Sequence, residues 1–159
     1  ILPDQFDQAL QHPRATFVTL HLNQALRGCI GMLEATRPLV SDVAHNASAA
    51  AFNDPRFPPV NQNEFERLNI HISVLSPAEE MKFNSEKDLL EQIRVNIDGL
   101  ILDDGGYHRG TFLPSVWEQL PSPDKFLKHL KQKAGLPSDY WSESIRIYRY
   151  TTDSIGQTE

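Results

Sequence analysis

Two neighbouring stretches alternate with the two-residue period of a strand. Thr16-Phe17-Val18-Thr19-Leu20-His21-Leu22 sets Val18, Leu20 and Leu22 on one face and Thr19 and His21 on the other. Leu26-Arg27-Gly28-Cys29-Ile30-Gly31 sets Leu26, Gly28 and Ile30 on one face and Arg27, Cys29 and Gly31 on the other. Asn23-Gln24-Ala25 fits a short turn between them, so the pair reads as a hairpin. If Leu22 pairs with Leu26, Leu20 faces Gly28 and Val18 faces Ile30. His21 then lies opposite Arg27, and Thr19 opposite Cys29. A one-residue slip would carry Val18 and Leu20 to the polar face, which disfavours any other register.

This hairpin carries the only cysteine of the chain. On one strand face, Arg27 and Cys29 stand roughly 7 Å apart. A fixed positive charge near a thiol favours the thiolate, so Cys29 is expected to be more acidic than a free thiol, unless burial opposes the charge. His21 is its diagonal neighbour on the adjacent strand. Gly28 and Gly31 let another group approach the backbone. The same residues also fit a small thiol buried in a sheet.

The chain has 159 residues, enough for one sizeable core or two small, intimately packed halves, about 1–80 and 81–155. A net charge of −6 argues against a generic nucleic-acid binder. No apolar run is long enough to span a membrane. A single cysteine permits no internal disulfide, which suits a cytoplasmic protein. Beginning at Ile1, the sequence is expected to lack a start methionine and an N-terminal helix.

Thr36 or Arg37 is expected to cap a helix with Pro38 in its first turn, and Val40, Val43, Ala44, Ala47, Ala50 and Ala51 give that helix a close-packing stripe beside His45. The three prolines of Asn53-Asp54-Pro55-Arg56-Phe57-Pro58-Pro59 require a loop, in which Asp54 and Arg56 are expected to form an ion pair. Asn61 and Glu64 read as a capping box opening a short helix through Leu68. A strand from Leu68 to Leu75 carries His71 and Ser73 on one face. Ser85 with Asp88 opens a further helix. Gly99 to Leu102 and Tyr107 to Leu113 form a second hairpin, Pro114 to Leu120 a short helix, and Ser122-Pro123 to Gly135 a longer one. Ser144 to Thr151 is the last strand, and the final residues are expected to fray.

Hairpin, helix, helix and strand thus occur twice. Each hairpin's second strand holds Arg-Gly before a small reactive type: Arg27-Gly28-Cys29, then Arg109-Gly110-Thr111. The echo suggests a duplicated α+β unit, its copies forming one continuous sheet with both Arg-Gly turns at a shared cleft.

Leu26 to Gly31, Asp54-Pro55-Arg56-Phe57-Pro58-Pro59, Ile72-Ser73-Val74-Leu75-Ser76-Pro77, Asp98-Gly99-Leu100 and Gly110-Thr111-Phe112-Leu113-Pro114-Ser115-Val116-Trp117-Glu118-Gln119 together resemble the AMMECR family. Its prokaryotic members are known as protein A of the AmmeMemoRadiSam system. The resemblance spans nearly the whole chain. It implies a single α+β domain of duplicated hairpin-helix-helix-strand units, with a curved, mainly antiparallel sheet and flanking helices. It also implies genes beside a radical-SAM protein and a Memo-like protein, and supplies no reaction.

Two functions fit these residues. One is a ligand-binding or adaptor component acting with a radical-SAM and a Memo-like partner. Its candidate ligand-binding residues are Arg27, Gly28, Gly31, His45, Asp54, Arg56, His71, Arg109 and Thr111, with the arginines holding an anionic or carboxylate group. The other is an enzyme or group carrier with Cys29 as thiolate nucleophile, Arg27 supplying charge and His21, His45 or His71 as base, oriented by Asp54 or Glu118. There is no Cys-x-x-Cys and no His-x-x-x-His, so no metal or cofactor is expected.

Overall fold

The computed structural model of the protein describes residues 1–157. In chain order the elements are α1 (Gln8–Gln11), β1 (Ala15–Leu22), β2 (Ala25–Gly31), α2 (Leu39–Phe52), α3 (Gln62–Phe65), β3 (Leu68–Leu75), β4 (Glu79–Glu80), α4 (Glu86–Gln92), β5 (Gly99–Asp104), β6 (His108–Phe112), α5 (Pro123–Lys133), β7 (Ile145–Tyr150) and β8 (Thr152–Gly156). Short 3-10 turns cover Pro3–Gln5 and Pro114–Glu118. The fold is α+β with two four-stranded sheets, ordered β2-β1-β3-β8 and β4-β7-β5-β6. One compact unit is Ile1–Pro77 with the segment from Asp153, and the other is Ala78–Thr152. The expected single continuous sheet is therefore replaced by two, each built around its own hairpin and third strand.

In the first unit, Val18, Leu20 and Ala50 form a buried core with Ile30, Val43, Ala47, Ala51, Leu68 and Ile72 against it. The alanine stripe of α2 lets the helix lie close to β2. A β-carbon on Gly28 would collide with the backbone carbonyl of Ala50. At the start of α2, Asp42 is fully buried. It accepts from the Thr16 amide at 2.9 Å, the Thr16 hydroxyl at 2.6 Å, the Asn46 amide at 3.0 Å and Arg37 at 2.7 Å. A charge taken from water survives only with such partners.

Several expectations are corrected. The turn is two residues long, because Leu22 pairs with Ala25 and His21 with Leu26. Asn23 and Gln24 both take positive φ, 52° and 67°, the pattern of a type I′ hairpin turn. The register is irregular beside Leu20 and His21, and Arg27 is the extra residue of β2. Beyond this bulge Leu20 pairs with Gly28, Thr19 with Cys29 and Val18 with Ile30, as the hydrophobic pattern requires. His21 is thus not opposite Arg27, and Leu26 is 41% exposed instead of in the core.

Pro38 is the N-cap of α2 with ψ 142°, not a first-turn residue. Its bridge to Pro13 and the bond from Leu39 N–H to His12 keep the chain extended to that point. The α3 helix ends at Phe65, before Leu68. Residues 152–156 do not fray but form β8 beside β3; the last two residues lie outside the described ones. The Asn61–Glu64 capping box and the Ser85 cap are present as expected.

The second unit is built on a larger core, in which Trp117 stacks on Phe126 at 3.7 Å. The α5 helix closes with Gly135 at φ 87°. Gly135 N–H bonds Gln132 and Leu136 N–H bonds Lys131, a Schellman closure that requires a residue tolerant of positive φ.

Candidate functional site

The geometry around Cys29 starts with the proline loop. β2 is an edge strand of its sheet, so alternate backbone groups point away from β1 and need partners. The Asp54 carboxylate accepts from Cys29 N–H at 3.0 Å, and Arg56 Nη2 donates to the Cys29 carbonyl at 3.3 Å. Two side chains of the loop thus do what a neighbouring strand would do. They are tied to each other by Arg56 Nη2 to Asp54 Oδ2 at 2.7 Å and Arg56 Nε to Asp54 Oδ1 at 3.0 Å. Asp54 Oδ1 also accepts the Arg56 amide. The Arg56 guanidinium holds the Asp54 carboxyl well below the usual carboxylate range, with the two backbone N–H groups adding to this against the cost of burial. The Arg56 guanidinium is raised in turn, by Asp54 first and with a smaller contribution from Cys29.

Arg27 is nearly buried, at 8% exposure. It does not stand free beside the thiol. Nε donates to Glu64 at 2.8 Å, and Nη2 donates to the Pro58 carbonyl at 2.8 Å and to Glu64 at 3.1 Å. Glu64 also closes its capping box on Asn61. Its carboxyl lies below its ordinary value because of Arg27 first and the Asn61 amide second. The Arg27 bulge, the Pro58 carbonyl and the α3 cap are thereby joined.

Cys29 is half-buried, and its sulfur lies 3.2 Å from the Thr19 hydroxyl. Thr19 pairs with Cys29 on one side and His71 on the other. Cys29, Thr19 and His71 therefore form a row across three strands. The His21 ring meets the His71 ring edge-on, 5.5 Å between centroids. A β-carbon on Gly156 would collide with the His71 ring, so this glycine of β8 lets the ring lie over the strand. Gly31 likewise leaves room for the Phe17 ring.

Of the residues expected to act, Arg27, Gly28, Cys29, Gly31, His21, Asp54, Arg56 and His71 all belong to the first unit. His45 is exposed on α2. Arg109 and Thr111 lie on β6 of the second unit. Arg109 is exposed there. Thr111 donates to the Leu100 carbonyl at 2.9 Å and meets the Tyr150 hydroxyl at 2.9 Å. Glu118 is exposed at the end of a 3-10 turn. Sequence reasoning missed Glu64, Phe57 and Pro58 as partners of this site. Glu64 was legible only as a capping residue, because its bond to Arg27 spans 37 positions. Among the described residues no group of three or more His, Cys, Asp or Glu is arranged to hold a metal ion. No helix of the described residues is long and apolar enough to cross a membrane.

An α+β protein with a cysteine clasped at the edge of its first sheet is the class these features define. The AMMECR1 family profile matches residues 1–155. Protein MJ0810 of Methanocaldococcus jannaschii is 37% identical over 167 aligned positions, covering 100% of this chain and 81% of that protein. Protein LS215_2104 of Saccharolobus islandicus is 42% identical over 140, covering 84% of this chain and 62% of that one. The crystal structure of the uncharacterized protein PH0010 from Pyrococcus horikoshii superposes with a TM-score of 0.91 at 35% identity, covering 99% of this chain and 80% of the other. The chain belongs to the AMMECR1 family.

Proposed function

We propose that the protein is a ligand-binding or adaptor component, that it works with a radical-SAM protein and a Memo-like protein, and that its working surface is the Cys29 face of the first sheet. The observation that carries this reading is the clasp on Cys29. Both main-chain groups of that residue are fixed by Asp54 and Arg56, while the residue as a whole is only half-buried, with its sulfur beside Thr19. Fixing one residue's position while leaving its side chain reachable suits recognition. The group bonded to the sulfur is a hydroxyl, and a hydroxyl is not a base.

The second reading, Cys29 as a thiolate nucleophile, draws on the Arg56 guanidinium, which bonds the Cys29 carbonyl and so brings a positive charge to that residue. One experiment separates the two. The protein is co-expressed with the radical-SAM and Memo-like proteins of its own genome and weighed intact and under native conditions. The binding reading expects a stoichiometric complex that survives Cys29→Ser, is weakened at least tenfold by His71→Ala, and carries no added mass on Cys29. A covalent increment on Cys29, absent from Cys29→Ser, supports the nucleophile instead. Absence of any complex with the unaltered protein rejects the adaptor.

A further inference from the structure

Arg27 has one unmet need. Its Nε and Nη2 are engaged by Glu64 and the Pro58 carbonyl. Its Nη1 is buried without a hydrogen-bond partner, in a residue only 8% exposed. Buried polar groups are almost always satisfied, and an orphaned guanidinium N–H calls for an acceptor. A second guanidinium packs against the same aromatic ring. The Arg27 and Arg56 guanidinium carbons lie 5.8 Å and 5.5 Å from the centroid of the same Phe57 ring. The bonds of Arg56 to Asp54 and Cys29 run through Nε and Nη2, and its side chain is 54% exposed.

We propose that these two guanidiniums around Phe57 form a subsite for a small oxyanion, a carboxylate or a phosphate, borne by the ligand of the Cys29 face. The proposal rests on the ligand-binding reading and gives its ligand a chemical class. One oxygen meets Arg27 Nη1 and supplies its missing acceptor. A second oxygen meets Arg56. One donor from each of two arginines suits an anion that presents two oxygens, which favours these anions over a single-atom ion such as chloride. The Arg27 nitrogen is covered in this structure, so binding requires the groups over it to move. Asp54 and Glu64 already balance the two positive charges. Binding therefore comes from directed hydrogen bonds more than from net charge, and its salt dependence is shallow.

The test is a titration of the full chain, labelled with nitrogen-15, with sodium acetate and separately with inorganic phosphate. Ionic strength is held constant with chloride, and the arginine side-chain and Cys29 amide resonances are followed. A saturable shift of the Arg27 guanidinium and the Cys29 amide is expected with at least one ion. The ion that saturates at lower concentration tells a carboxylate ligand from a phosphorylated one. Arg56→Lys, which keeps a charge beside Asp54 but loses the fork, should weaken binding at least tenfold. An Arg27 guanidinium unmoved by both ions overturns the subsite, as does binding unchanged in Arg56→Lys. If the co-expressed complex forms while neither ion binds, only the subsite falls. If the complex is absent as well, the ligand-binding reading falls with it.

Discussion

Asp54 shows how much a single carboxylate organises here. It is 4% exposed, yet it spans the loop and the sheet edge through Arg56 and the Cys29 amide. Its folded pKa lies below that of the unfolded chain, chiefly because of Arg56. The stabilisation from this difference is full above the ordinary carboxylate value of about 4, and is lost as pH falls through the folded value. Glu64 acts in the same direction through Arg27. Asp54→Asn should cost about 2 kcal/mol at neutral pH, since Arg56 and the Cys29 amide lose their charged acceptor. It should also flatten the fall in stability toward acid. Urea unfolding of both proteins at a series of pH values checks each part. An acid limb as steep in the variant as in the original chain would show that Asp54 is not the group responsible. The Asp54–Arg56 pair was legible in the sequence from its short spacing. Its target was not, because a bond between positions 54 and 29 depends on where the chain returns.

At the scale of elements, alternation was a sound guide where a face is buried and a poor one where it is not. The pairing of Val18, Thr19 and Leu20 with Ile30, Cys29 and Gly28 follows from the need to bury Val18 and Leu20. Nearer the turn no core restrains the register, so the two-residue turn and the bulge at Arg27 escaped notice. Asn23-Gln24 lacks the glycine that usually marks positive φ in such turns. β8 was hidden for a related reason: its residues are mostly exposed and polar, so nothing in their pattern announces a strand. Gly28 tests the packing logic directly. It lies against the α2 backbone at Ala50, where backbone cannot yield as a flexible side chain does. Gly28→Ala should destabilise the protein by about 1–3 kcal/mol, read as a lower urea midpoint. An unchanged midpoint would mean that α2 does not sit against β2 as described.

For the whole molecule, the two units repeat a strand order, with a hairpin's first strand central and a third strand beside it. They differ in what meets the second hairpin strand. Gly28 lies against Ala50 of α2, the first helix after its hairpin, whereas Gly110 lies near Ala134 at the end of α5, the second. The individual hairpins and helices were legible because apolar periodicity reports local structure. The site was legible only in part, because hydrogen bonds between distant segments leave no periodic trace. Arg27 and Cys29 were found from the strand pattern, while Glu64 and Pro58, which hold Arg27, were not. The account as a whole stands on one claim: Cys29 is fixed at its backbone and presented, reachable, on the face that receives the ligand or partner. Alkylation with iodoacetamide tests this most directly, with Cys29 followed by mass in the free protein and in the co-expressed complex. The account predicts modification of Cys29 in the native free protein and marked slowing in the complex. Labelling that begins only after denaturation, or that proceeds at the same rate in both, would contradict it.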